Sequence, residues 1–139
     1  MTIKLSSLKA DLAREEKGDW IEYPDWPGVE FNVSSLHLPA YATARDLLVQ
    51  RMAKKYGRNP VPREEMAVEH GALYAEHILH GWRGLDIEYT PEVARETLTN
   101  IEFRNVIAAV EWCAAKVSEV EIEFVKEAGK NSEPPSAGG

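Results

Sequence analysis

Residues 101–128 read IEFRNVIAAVEWCAAKVSEVEIEFVKEA. At about 100° per residue, Phe103, Val106, Ile107, Val110, Cys113, Ala114, Val117, Val120 and Phe124 fall in one sector, and charged residues take most of the remainder. No Pro or Gly interrupts the stretch. The pattern predicts one long C-terminal helix, with Asn100 as its N-cap and Gly129 where it stops. Phe103, Val106, Val110, Val117 and Phe124 are expected to define the fold, because burying such a stripe yields roughly 25 cal/mol per Å². Trp112 points off the stripe and predicts a second contact, within the molecule or with a partner.

Working outward from that helix, the small residues Gly71, Ala72 and Ala75 suggest what covers it. They lie in a second helical pattern over residues 63–80 whose apolar face is Ala67, Val68, Gly71, Ala75, Ile78 and Leu79, with Trp82 beyond. The expectation is that the long helix packs on residues 64–82. Thr90-Pro91-Glu92-Val93 starts a short helix between the two, with Thr as N-cap and Pro at its first position. Leu38-Pro39-Ala40-Tyr41 opens an earlier helix with Tyr41, Ala44, Leu48 and Met52 on one face. Upstream, Trp20-Ile21-Glu22-Tyr23 and Val29-Glu30-Phe31-Asn32-Val33 alternate around the turn Pro24-Asp25-Trp26-Pro27-Gly28 and read as a β-hairpin. Residues 3–17 give mixed signals and carry no assignment. The expected fold is mainly α, with about four helices, a short N-terminal β-hairpin and a long C-terminal helix. Residues 1–128 are expected to form a single domain, and residues 129–139 a disordered tail of Asn, Ser, Pro and Gly.

Composition narrows the function. No apolar run approaches the ~20 residues that span a bilayer, and the N-terminus shows no signal-peptide core. Cys113 is the only cysteine and sits on the apolar stripe, where it reads as a small buried hydrophobe. The formal charge is −7 but uneven. Arg45, Arg51, Lys54, Lys55, Arg58 and Arg63 make residues 40–63 basic, opposed only by Asp46. Glu64, Glu65, Glu69, Glu76, Asp86 and Glu88 make residues 64–90 acidic. The basic segment could meet a phosphate backbone through Arg51, Lys54, Lys55 and Arg58. With few aromatics between its charges, a solvated or ion-pairing surface is the better reading.

One constellation invites metal chemistry. His70, His77 and His80, with Glu69 and Glu76, would share a face of the 63–80 helix. Against a metal stand the lack of an HExxH or ExxH pair and of matching ligands on another helix. A small metal-dependent helical-bundle enzyme therefore remains only as an alternative. No G-x-S-x-G, phosphate-cradling glycine loop or C-x-x-C is present.

The segments Gly81-Trp82-Arg83-Gly84-Leu85, Ile87-Glu88-Tyr89-Thr90-Pro91-Glu92-Val93-Ala94 and Asn100-Ile101-Glu102-Phe103-Arg104 carry a family likeness. They resemble the tail assembly chaperones of long-tailed bacteriophages, which show a G-W-x-G turn, a Y-S/T-P-E-x-A link and an F-R pair opening a long helix. Lys130-Asn131-Ser132 matches the family's K-N-S tail. The sequence departs from the family at Ile101, where a D-P pair is common, and in its short link at Asp86. The resemblance implies a non-enzymatic role without cofactor: binding the tape measure protein, keeping it soluble, and helping tail tube protein polymerise around it. It implies action in the host cytoplasm and absence from the mature virion. It also implies a frameshifted longer form with which the short chain associates, and codons for Gly129-Lys130-Asn131 could hold the slippery run. Membrane partners are not expected. Trp112, Trp82, Trp26 and His77 are the candidate partner-binding residues.

Overall fold

The computed structural model describes residues 1–126. The expected tail and the proposed frameshift run, residues 129–139, lie outside them. The chain divides into two compact units.

The larger unit is Leu12–Ser118. It contains α1 (Leu12–Lys17), β1 (Asp19–Glu22), β2 (Glu30–Val33), α2 (Pro39–Tyr56), α3 (Arg63–Leu73), β3 (Leu79–Arg83), α4 (Pro91–Leu98) and α5 (Arg104–Val117). The chain is mainly helical, as the periodicity predicts. The hairpin forms as expected: Trp20 pairs with Asn32 and Ile21 with Phe31. Its turn is tied by Trp26 N–H to Tyr23 O at 3.1 Å and Val29 N–H to Trp26 O at 3.0 Å. Val29, Phe31 and Val33 all face the core. The N-cap at Thr90 is also as expected, its hydroxyl accepting from Val93 N–H at 3.1 Å.

Three expectations fail for identifiable reasons. First, the second helix does not reach His80. Its last turn widens into a π-helical turn, Tyr74–Ile78, and the chain leaves it as β3. β3 pairs antiparallel with β2, Phe31 opposite Trp82 and Val33 opposite Leu79, so the hairpin is part of a three-stranded sheet. Ile78, Leu79 and Trp82 fit helical spacing, and Leu79 and Trp82 are both buried in β3 because a register shift opposite Asn32 and Val33 rephases the strand.

Second, α5 packs chiefly on β1 and β2, and it meets residues 64–82 through the Tyr74 hydroxyl, which donates to the Glu111 carboxylate at 2.6 Å. Val110, Cys113, Ala114 and Val117 are buried there, and the Cys113 thiol lies 3.8 Å from Ile21 O. The close approach that Gly71 permits is to α4 instead. A β-carbon at Gly71 would stand 1.6 Å from Leu98 O.

Third, the C-terminal helix is shorter at both ends. Asn100 caps a 3₁₀ turn, Ile101–Phe103, by accepting from Glu102 N–H at 3.0 Å. Phe103 therefore lies before α5 and is 45% exposed. At the other end, Arg14 donates to Val117 O at 3.2 Å, a cation on the last carbonyls of α5. Ser118, hydrogen-bonded to Ser35, completes the stop.

The smaller unit is Met1–Asp11 with residues 119–126 of the described chain. Phe124 belongs to it and not to a helix. It pairs in an antiparallel bridge with Ile3, flanked by Lys4 N–H to Glu123 O and Val125 N–H to Thr2 O, both 2.8 Å. Val120, Ile122 and Phe124 alternate, so the same residues that fit a helical stripe also fit an extended segment. Phe124 is 48% exposed and does not define a core.

Candidate partner-docking site

Between the 84–89 link, α4 and the start of α5 lies an apolar groove of about 200 Å³, lined by Trp82, Leu85, Asp86, Ile87, Val93, Thr97, Phe103 and Val106. Each wall follows from local sequence. Gly84 lies at φ +93° and lets the link turn against Gly28, whose carbonyl would be 2.1 Å from any β-carbon there. The link then returns over β3. Trp82 donates its indole N–H to Ile87 O at 2.7 Å, and Tyr89 sets its ring edge-on to Trp82 with centroids 5.4 Å apart. Capping by Thr90 starts α4 with Val93 and Thr97 one turn apart on the groove side. The 3₁₀ turn brings Phe103 alongside Val106.

The polar atoms in this wall are largely spent. The Trp82 N–H is satisfied within the link, and the Thr97 hydroxyl donates to Val93 O at 2.8 Å. Among the described residues the Asp86 carboxylate has no ion pair or hydrogen bond. Leu85, Ile87, Ile101 and Phe103 are all more than a third exposed around this groove. An apolar trough with a single unmatched carboxylate is of a form that accepts apolar side chains.

Of the expected partner-binding residues, only Trp82 lines the groove, and it is a buried wall rather than an exposed anchor. Trp112 and Trp26 belong to a separate cluster. Tyr23 meets Trp26 edge-on at 4.9 Å and Trp112 at 5.7 Å, and the Lys116 ammonium lies 5.4 Å from the Trp112 ring. The contact that Trp112 needs is thus found inside the molecule, although the ring stays 38% exposed. His77 is half-buried with Glu76 at 3.7 Å. Leu85, Ile87 and Val93 fall in the segments that carry the family resemblance, but neither they nor Thr97 are among the candidate partner-binding residues read from sequence. The available signal was two apolar residues flanking Asp86 in a link too short to be strand or helix.

The histidines do not form one face. His70 stacks on Tyr74 at 6.2 Å, whereas His80 is on β3. The His80 Nε2 lies 2.6 Å from Ser34 Oγ, which itself donates to Glu16 O at 3.0 Å. With its one proton committed, Ser34 can only accept from His80, which is the reverse of base activation of a nucleophile. Burial pushes the His80 imidazole below its ordinary range. Among the described residues no group of three or more His, Cys, Asp or Glu could hold a metal ion. Two bases of the basic segment are answered by α3: Arg51 meets Glu69 at 3.1 Å and Lys55 meets Glu65 at 2.7 Å. The Tyr56 hydroxyl also bonds Glu65. These partners hold the Glu65 carboxyl below the usual carboxylate range.

Among the described residues no helix is long and apolar enough to cross a membrane. The fold and groove together define a small, acidic, mainly helical protein with a three-stranded sheet and an open apolar groove. The chain belongs to the YdaY prophage protein family, whose sequence profile matches residues 36–131. No curated protein and no solved structure matches the chain.

Proposed function

We propose that this prophage protein is a non-enzymatic tail assembly chaperone that binds a tape measure protein and keeps it soluble while the tail tube forms. The observation that carries the reading is the groove. The three segments that resemble tail assembly chaperones, around Trp82, Val93 and Phe103, belong to a strand and link, a helix and a 3₁₀ turn, yet all contribute to its wall. A shared surface is a reason for such motifs to occur together in one chain. Family membership supports the phage context. The acidic charge supports a solubilising role, since added negative charge opposes association of an apolar client.

In this reading the client lays an apolar helix face into the groove, the helix-in-groove mode of recognition. The protein acts in the host cytoplasm, works beside a frameshifted longer form, and leaves before the virion is complete. The test is co-expression with the tape measure protein encoded in the same prophage. The client should move from the pellet to the soluble fraction and co-purify with this chain. A client that is equally soluble alone removes the need for a chaperone and contradicts the proposal.

A further inference from the structure

We infer that the groove selects a basic amphipathic helix, seating apolar side chains on Leu85, Ile87, Phe103 and Val106 and a lysine or arginine on Asp86. The inference rests on the helix-docking reading above and adds the chemistry of the occupant. Its first support is the unmatched Asp86 carboxylate, which lies in the groove wall beside apolar neighbours. A carboxylate in such a place favours a cation whose stem is itself apolar, as in lysine and arginine.

The second support is the charge around the rim. Residues 84–103 contain Asp86, Glu88, Glu92, Glu96 and Glu102 but only one base, Arg95. On α4, at about 100° per residue, Glu96 falls next to Val93 and Thr97 on the groove side, whereas Arg95 falls on the far side of the helix. Arg83, just before the link, is engaged with Glu30 at 2.8 Å and lies over the Trp20 ring at 3.8 Å. Asp86 lines the groove and Glu96 falls on its side of α4, neither paired with a cation among the described residues, and a basic partner is complementary to them.

The third support is the form of the walls. They are side chains of the 84–89 link, two helices and a 3₁₀ turn over Trp82, and the link already covers part of β3, where the Tyr89 hydroxyl donates to Leu79 O at 3.3 Å. Recognition is then by side chains at helical spacing rather than by strand addition.

The experiment uses two fluorescently labelled peptides of about 18 residues, long enough to hold a helix. Both carry the same leucine stripe; one is flanked by lysines and the other by glutamates. Fluorescence anisotropy with the full chain should show the lysine peptide binding at least tenfold more tightly, and weakening as salt rises. Asp86→Lys should remove most of that preference, and Phe103→Ser should weaken the lysine peptide severalfold or more. Both sites are exposed, and thermal melts identify either variant as folded before binding is read. Equal binding of the two peptides, or no response to either folded variant, overturns the inference. So does a peptide-free dimer that dissociates in Phe103→Ser, which would make a second copy the occupant. Tape measure protein that stays soluble with Asp86→Lys sinks this inference and leaves the chaperone reading standing. Lysine-peptide binding without any effect on the tape measure protein does the opposite.

Discussion

Gly71→Ala is the substitution whose sign depends most on how α3 and α4 cross. In an isolated helix the change stabilises by about 1 kcal/mol, because glycine is a poor helix former. Here the new β-carbon would stand 1.6 Å from Leu98 O and 2.6 Å from the Leu98 carbonyl carbon. Carbon and oxygen tolerate about 3.3 Å, so α3 and α4 must part by roughly 1.5 Å. That movement strips contacts from Leu98 and Ala94, both fully buried. Overpacking of a filled core costs about 1–3 kcal/mol, and partial exposure of a leucine adds about 1–2. Set against the helical gain, the net loss is about 2–3 kcal/mol. Urea unfolding followed by circular dichroism should show the midpoint falling by roughly 1–3 M, for slopes of about 1–2 kcal/mol/M. Because α4 is also a groove wall, lysine-peptide binding should weaken in the same variant. A Gly71→Ala protein as stable as the parent refutes this crossing, and with it the placement of Val93 and Thr97.

Three further outcomes follow from single sites. Val110→Asp places an unpaired carboxylate in a fully buried position under the sheet; the expected loss is several kcal/mol, of order 4, and a parental melting temperature would contradict the packing of α5. Cys113 is fully buried and its thiol is pushed up to about 12 by that burial, so a thiol reagent at pH 8 should label it only on unfolding, and rapid labelling of the folded chain would show the site is open. Burial lowers the His80 pKa in the folded chain relative to about 6.5 unfolded. Its stabilising contribution is therefore present above pH ~6.5 and lost as pH falls through the lower folded value. His80→Gln should flatten the fall of stability with acidification, and an unchanged pH profile would show that this imidazole titrates normally.

Legibility from sequence differs from element to element for physical reasons. α2, α4 and the hairpin were readable because their signals are local: Pro39 at a helix start, Thr90-Pro91 as a cap, and alternating Val29, Phe31 and Val33 after a Pro- and Gly-rich turn. The end of α5 was not readable, because its stop is made by Arg14 and Ser35, far away in the chain. Beyond it, Val120 and Phe124 suit either a 3.6-residue or a 2-residue period, and tertiary pairing with Ile3 decides. β3 was hidden because the π-helical turn at Tyr74–Ile78 shifts the phase between two buried runs without a Gly or Pro to mark the change. Gly71 correctly signalled a close helix contact, but a small residue does not name the helix that approaches. The groove was legible in part. The motif segments that resemble tail assembly chaperones supply its walls, yet Trp112 and Trp26 belong to a cluster that Tyr23 joins instead.

The most direct test of the docking claim is amide hydrogen exchange on this chain, free and in complex with the co-expressed tape measure protein. Docking in the groove predicts slowed exchange across residues 85–88 and 101–107, with the outer face of α2, where Leu47 and Val49 are exposed, unchanged. Protection on α2 or around Trp112, with the groove segments exchanging as in the free chain, would contradict it.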